Sequence, residues 1–355
     1  MLRNIPQLKK KTGTALVLSG GATKAFCFYL GVLRVLEEQG EDISSIIGTS
    51  AGAIAGGFFA SGVSADTIIS SLSRHKTYIP KHGKWVRPIT ASTLFRPMYG
   101  EAIRQSLTVL LRSLRFVTSL PWLLGRDIVA EAIDELVNSQ TELIGLFNAS
   151  ELEYLFETLL PTQEFTHTDI DLYVTATVLD RPHLRAVFNG IYSFEDEVNT
   201  FITGVPLSRA IRASAAIPAV FEPVKIGDRY YVDGEVKQTL SADIGLGVSD
   251  RVIVAHVYQP LQSTGKRSVR DMGWLNVFKQ SLFAVFYERI ATWRYLYSQQ
   301  NPSKEIIWIE PDPHDVEFFS APDFSFRPEV QKLMIEKGAN AALLALAKSP
   351  AAVHG

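Results

Sequence analysis

Apolar positions follow two rhythms along this chain. Residues 14–19, TALVLS, form an unbroken apolar run, the pattern of a strand covered on both faces. Gly20 and Gly21 break it. Residues 23–40, TKAFCFYLGVLRVLEEQG, then read as a helix ending at Gly40, a residue that suits the position just past a helix. ISSIIGTS (43–50) reads as a second strand, and AGAIAGGFFASG (51–62) as a second helix packed through small residues. This alternation predicts an α/β fold.

Residues 63–165 read as mostly helical and irregular, with few strand signals, an insertion or cap over the sheet. Strands return at 171–180 and 184–190, and a short helix over 208–218 stops at Pro218. Residues 224–234 read as a hairpin turning at Gly227-Asp228. A buried strand follows over 250–259, then a long aromatic helix over 274–300, a strand over 304–312 and a helix over 328–347. In the aromatic helix, Trp274, Phe278, Leu282, Phe286 and Trp293 recur at helical spacing, which suits a membrane surface or the core, and they are assigned to the core. No repeat, low-complexity linker or clear domain boundary interrupts the pattern.

Composition narrows the function classes only a little. The chain has 355 residues, 46% hydrophobic and 20% charged, which is ample for a core. A net charge of −2 gives no reason to expect nucleic acid as a partner. The single cysteine, Cys27, excludes an intramolecular disulfide and fits a reducing compartment. The apolar run after the basic N-terminal residues is too short for a signal peptide. The nearest approach to a membrane span, residues 106–125, is interrupted by Arg112 and Arg115. A cytoplasmic protein is expected, with any membrane association peripheral.

The chemistry centres on Gly48-x-Ser50-x-Gly52, placed between a predicted strand and a predicted helix. That is the context of a nucleophile elbow. The turn is sharp, and glycines two residues either side of the serine remove side chains that would collide. The following helix N-terminus favours developing negative charge. A chance match of common residues is the competing reading. Upstream, Gly20, Gly21 and Ala22 stand where a strand gives way to a helix, so their amides can serve an oxyanion. The stretch SGGATKA lacks the third glycine of a dinucleotide loop.

Two residues compete as proton acceptor for Ser50. Of the seven histidines (75, 82, 167, 183, 256, 314 and 354), His256 lies in an apolar run and reads as core, which leaves His314 as the triad candidate. Asp233 is better placed, at the end of an aromatic-rich strand and before Gly234. An aspartate that only caps its own turn is the alternative there.

The three stretches LVLSGGATKAFCFYLGVLRVLEEQG (16–40), IIGTSAGAIAGG (46–57) and IRASAAIPAVFEPVKIGDRYYVDGEV (211–236), in this order, resemble the patatin-like phospholipase family. The resemblance runs from residue 14 to about 260 and is weakest over 63–165. It implies a three-layer α/β/α fold with a mostly parallel central sheet and a helical insertion. By this resemblance residues 1–13 are a basic tail, 14–260 a catalytic domain, and 261–355 a helix–strand–helix part packed on it. It also implies a Ser50–Asp233 dyad with no catalytic histidine, an oxyanion loop at Gly20, Gly21 and Ala22, and no cofactor. The implied substrate is a lipid or lysophospholipid, hydrolysed at an acyl ester at a peripheral membrane surface.

Three positions depart from the family pattern. Lys24 and Ala25 replace the usual arginine and glycine, and Glu235 stands where glycine or alanine is usual. Lysine keeps the charge but loses the planar fork. Glu235 is expected to raise the pKa of Asp233 through like charge. A catalytically weak or inactive lipid-binding protein is the alternative these departures favour, and a transacylase is the close chemical relative. The segment 94–125 mixes leucines with Arg104, Arg112 and Arg115, which suits either an anionic bilayer surface or a helix pair on the sheet. No cluster of residues has metal-ligand spacing.

Overall fold

The computed structural model describes residues 8–72, 150–263 and 268–348, with Gly265 and the short segments 77–79, 83–86, 96–97 and 145–148. Its main sheet has ten strands: β1 (Thr14–Leu18), β2 (Ile43–Thr49), β3 (Asp171–Val178), β4 (Arg185–Phe188), β5 (Phe194–Glu195), β6 (Asn199–Ile202), β7 (Val224–Ile226), β8 (Arg229–Asp233), β9 (Arg251–Ala255) and β10 (Glu305–Ile309). The spatial order is β10-β9-β1-β2-β3-β4-β6-β5, with β8 also paired to β3, and β7 to β8. Pairing is parallel from β10 to β3 and antiparallel between β3 and β4.

The unbroken apolar runs have a direct cause. Leu16, Leu18, Ile46 and Val174 join a core on one face, whereas Ala15, Val17, Ile47 and Tyr173 join a second core on the other. Successive side chains point to opposite faces, so a strand covered on both sides needs apolar residues throughout.

Helices α1 (Ala22–Glu38), α2 (Ala51–Ala60), α3 (Ala65–Leu72), α4 (Ser150–Leu159) and α5 (Leu207–Ser214) contribute to the first core. After α6 (Gly234–Lys237), helices α7 (Ala242–Val248) and α8 (Trp274–Gln300) contribute to the second. A short α9 (Val316–Ser320) leads to α10 (Pro328–Ala347), which crosses α1. The crossing is close because glycines meet backbone. A Cβ on Gly338 would stand 1.9 Å from the Phe28 carbonyl oxygen, and one on Gly31 2.0 Å from that of Ile335.

Several expectations need correction. The recurring apolar residues of α8 do not all face the core: Trp274 is 79% exposed, Phe278 57% and Leu282 40%. Phe286 and Trp293 are half-buried. The buried positions are Phe283, Ile290 and Tyr297, one residue every two turns, because apolar residues surround this helix and only one stripe meets the sheet. The strand expected over 250–259 keeps its ladder only to Ala255. Within 63–165, four short strands occur at Thr77–Ile79, Lys84–Val86, Arg96–Pro97 and Gly145–Asn148. Of segment 94–125, all but Arg96 and Pro97 lies outside the described residues, including Arg104, Arg112 and Arg115.

Candidate active site

Ser50 sits where β2 gives way to α2, with φ +52° and ψ −118°, a backbone state that a non-glycine residue adopts only under constraint. The constraint is tight packing. A Cβ on Gly48 would lie 2.6 Å from Ala53 Cα, and one on Gly52 2.3 Å from the Leu18 carbonyl oxygen. The Gly52 amide donates to the Ser19 carbonyl at 3.0 Å. The Ser50 amide donates to Ser214 Oγ at 2.8 Å, and the Ser214 hydroxyl donates to the Thr175 carbonyl at 2.6 Å. Ser214 on α5 thus ties the elbow to β3. It stands inside the stretch 211–236, but residue spacing carries no sign of this role.

Sheet register brings Asp233 to Ser50. Thr49, the last residue of β2, pairs with Thr175, and Asp233, the last of β8, pairs with Ala176. The opposite edge of β3 is taken by β4 over Val174–Thr177. Strands β2 and β8 therefore lie along the same edge of β3 and meet end to end, one running toward the junction from each side. The Glu235 amide donates to Asp233 Oδ1 at 2.9 Å, and the Ser50 hydroxyl lies near enough to the carboxyl to lower its pKa. The first is the turn-capping bond expected of an Asp-Gly aspartate, so capping and proximity to Ser50 occur together. Burial raises the Asp233 pKa from 3.8 to about 6, against the opposing effect of the Ser50 hydroxyl and the Glu235 amide.

Glu235 and Asp233 lie side by side, and burial together with the like charge between them raises the pair above the ordinary carboxylate range. The Gly20 amide donates to Glu235 Oε1 at 2.8 Å, and the Tyr258 hydroxyl hydrogen-bonds to Oε2. Gly20 is therefore occupied in this structure. Gly21 has φ +121°, and a Cβ there would meet Val257 Cγ2 at 2.4 Å. Ala22 follows at φ +59°. Among the described residues, no protein group accepts from the amides of Gly21 and Ala22. Tyr258 was not legible as a site residue, because only the fold carries it back to this loop.

The remaining candidates fall elsewhere. His256 is fully buried with Nε2 3.1 Å from a Glu310 oxygen, and His314 Nδ1 lies 2.9 Å from the Gln262 carbonyl. Neither lines a pocket at Ser50. His167 and His183 are exposed, and positions 75, 82 and 354 lie outside the described residues. Burial pushes the Cys27 thiol up to about 12, which leaves it a poor nucleophile. Lys24 is buried, with Nζ 3.8 Å from Asp323 Oδ1 and 4.0 Å from the centre of the Phe318 ring.

Two pockets meet at Ser50. The first is apolar, with walls that include Phe26, Ile54, Leu155, Phe156, Phe221 and Phe324. The second holds Asp233 and Glu235 and is walled by Tyr258, Phe283, Phe286, Arg289 and Asp323.

The family model for patatin-like phospholipases matches residues 16–245, which hold every residue of the elbow, the loop and the β8 terminus. The chain belongs to the patatin-like phospholipase family. Among solved structures, VipD from Legionella pneumophila is similar over 98% of this chain and 70% of its own, at 17% identity and a TM-score of 0.39. Full-length ExoU of the Pseudomonas aeruginosa type III secretion system, solved with SpcU, is similar over 96% of this chain and 54% of its own, at 17% identity and a TM-score of 0.30. The chain thus spans about half the length of that ExoU chain. No curated protein sequence matches it.

Proposed function

We propose that this protein hydrolyses lipid acyl esters through an acyl-enzyme on Ser50, with Asp233 as general base. The observation that carries the proposal is the end-to-end meeting of β2 and β8 on one edge of β3, which brings Ser50 and Asp233 into one pocket. An aspartate with a pKa near 6 is mostly ionised at neutral pH, yet basic enough to take a proton as the hydroxyl attacks.

In the first half-reaction Ser50 Oγ bonds to the acyl carbon while its proton passes to Asp233. The amides of Gly21 and Ala22 stabilise the oxyanion. Collapse breaks the ester bond, and the leaving alcohol takes the proton from Asp233. In the second, Asp233 deprotonates a water that attacks the acyl-enzyme, and the proton returns to Ser50 as the fatty acid leaves. The apolar pocket suits the acyl chain and the second pocket the alcohol.

Substrates of this kind sit in a lipid interface. No described helix is long and apolar enough to cross a membrane, but α8 presents Trp274, Phe278, Leu282 and Val285 to the outside. The same helix supplies Phe283, Phe286 and Arg289 to the second pocket. This supports peripheral docking with the pocket mouth toward the lipid.

The test is hydrolysis of a phosphatidylcholine dispersion and of a soluble short-chain ester by wild type and Ser50→Ala. The expected result is loss of both activities by a factor of about a thousand or more with an unchanged melting temperature. Hydrolysis retained by folded Ser50→Ala contradicts the assignment.

A further inference from the structure

Glu235 has no task in this reaction, yet its carboxyl is turned into the site. The residue is partly exposed along its length, but both carboxyl oxygens face inward, Oε1 to the Gly20 amide at 2.8 Å and Oε2 to the Tyr258 hydroxyl. A Cβ on Gly20 would stand 2.5 Å from Glu235 Cδ and 2.9 Å from Ser50 Cβ. The carboxyl is therefore packed on the glycine loop, beside the nucleophile.

Asp233 lies two residues away on the same turn. From the other packed elements come Tyr258 after β9 and Tyr29 on α1, and Arg289 on α8 and Asp323 before α10 line the shared pocket. Lys24 and Lys279 are drawn to Asp323 rather than to Glu235. An ionised Glu235 would add a second negative charge beside Asp233 and beside the charge that develops on the substrate. Burial and the Asp233 charge both push its pKa well above 4.5.

A neutral carboxyl offers one carbonyl acceptor and one hydroxyl donor. The Gly20 N–H donates to one oxygen, and the Tyr258 hydroxyl, a group able to donate or accept, meets the other, so a neutral carboxyl can satisfy both contacts. We propose that Glu235 is a positioning residue acting as a neutral acid: it holds the Gly20 amide, leaves those of Gly21 and Ala22 to the oxyanion, and excludes a second charge. The proposal rests on the Ser50–Asp233 reading.

Glutamine has the same acceptor and donor without the proton to lose. The test is kcat/KM against pH, on a soluble short-chain ester, for wild type, Glu235→Ala, Glu235→Gln and Tyr258→Phe. Wild type is expected to rise through a pKa of about 6 as Asp233 ionises and to decline on the alkaline side as Glu235 ionises. Glu235→Ala is expected to lose about tenfold or more in kcat, with a smaller change in KM. Glu235→Gln is expected to restore most of that loss and to lack the alkaline decline. Tyr258→Phe removes a hydrogen bond that favours the ionised form, so its alkaline decline moves to higher pH. Equal defects in Glu235→Gln and Glu235→Ala, or an alkaline decline that persists in Glu235→Gln and does not move in Tyr258→Phe, overturn the proposal. Wild type that hydrolyses the ester without any covalent fluorophosphonate adduct on Ser50 counts instead against the dyad.

Discussion

Asp233 carries opposed demands. Its charge is needed to accept a proton, and burial works against that charge. Because the folded pKa of about 6 lies above the ordinary 3.8, the folded state holds the proton more tightly. The resulting stabilisation is full below about pH 4 and is lost as pH rises through 6. At pH 8 the ionised group costs on the order of 2–3 kcal/mol relative to a neutral one. Asp233→Asn is therefore expected to melt higher than wild type at pH 8, with the gain vanishing near pH 4, while ester hydrolysis falls about a hundredfold or more. Thermal melts across pH check the first part, and a variant that melts lower than wild type at pH 8 contradicts it. Stability and activity trade against each other here through one carboxylate.

Elements place such residues by backbone fit. The elbow and the glycine loop were legible in the sequence because each is a local strand–turn–helix event, and Gly48, Gly52 and Gly21 are needed within a few residues of where they act. The junction of β2 with β8 was not legible, since residues 183 apart in sequence meet only through their shared register on β3. Helix α8 shows a different limit. The aromatic spacing correctly marked a helix, but with apolar residues all round it did not mark which stripe meets the sheet. The α1–α10 crossing was also silent in the pattern, and Gly338 tests it. Gly338→Ala places a methyl group against the Phe28 carbonyl, where neither helix backbone can yield cheaply. A loss of about 2 kcal/mol is expected in denaturant unfolding. A variant as stable as wild type means the helices cross with more freedom than this packing implies.

At the scale of the whole molecule, the sheet separates two tasks. One face and its helices form the apolar pocket, and the other carries α8, whose outer stripe is uncovered beside the second pocket. If that stripe enters a lipid interface, Trp274→Ser with Phe278→Ser removes two large side chains from it. Sedimentation with phosphatidylcholine vesicles is expected to show binding weakened by about tenfold or more, given the free energy of burying one such side chain. Hydrolysis of the soluble ester should be spared, because neither residue lines a pocket at Ser50. Undiminished vesicle binding assigns the stripe to something other than lipid.

The dyad itself is tested most directly by mapping a covalent adduct. Wild type, Ser50→Ala, Asp233→Asn and His314→Asn are treated with a fluorophosphonate, digested, and read by peptide mass spectrometry. One adduct is expected, on Ser50, formed at comparable rates in wild type and His314→Asn, strongly slowed in Asp233→Asn and absent in Ser50→Ala. An adduct on another residue, or one on Ser50 that forms as fast without Asp233 and slows without His314, would contradict the dyad.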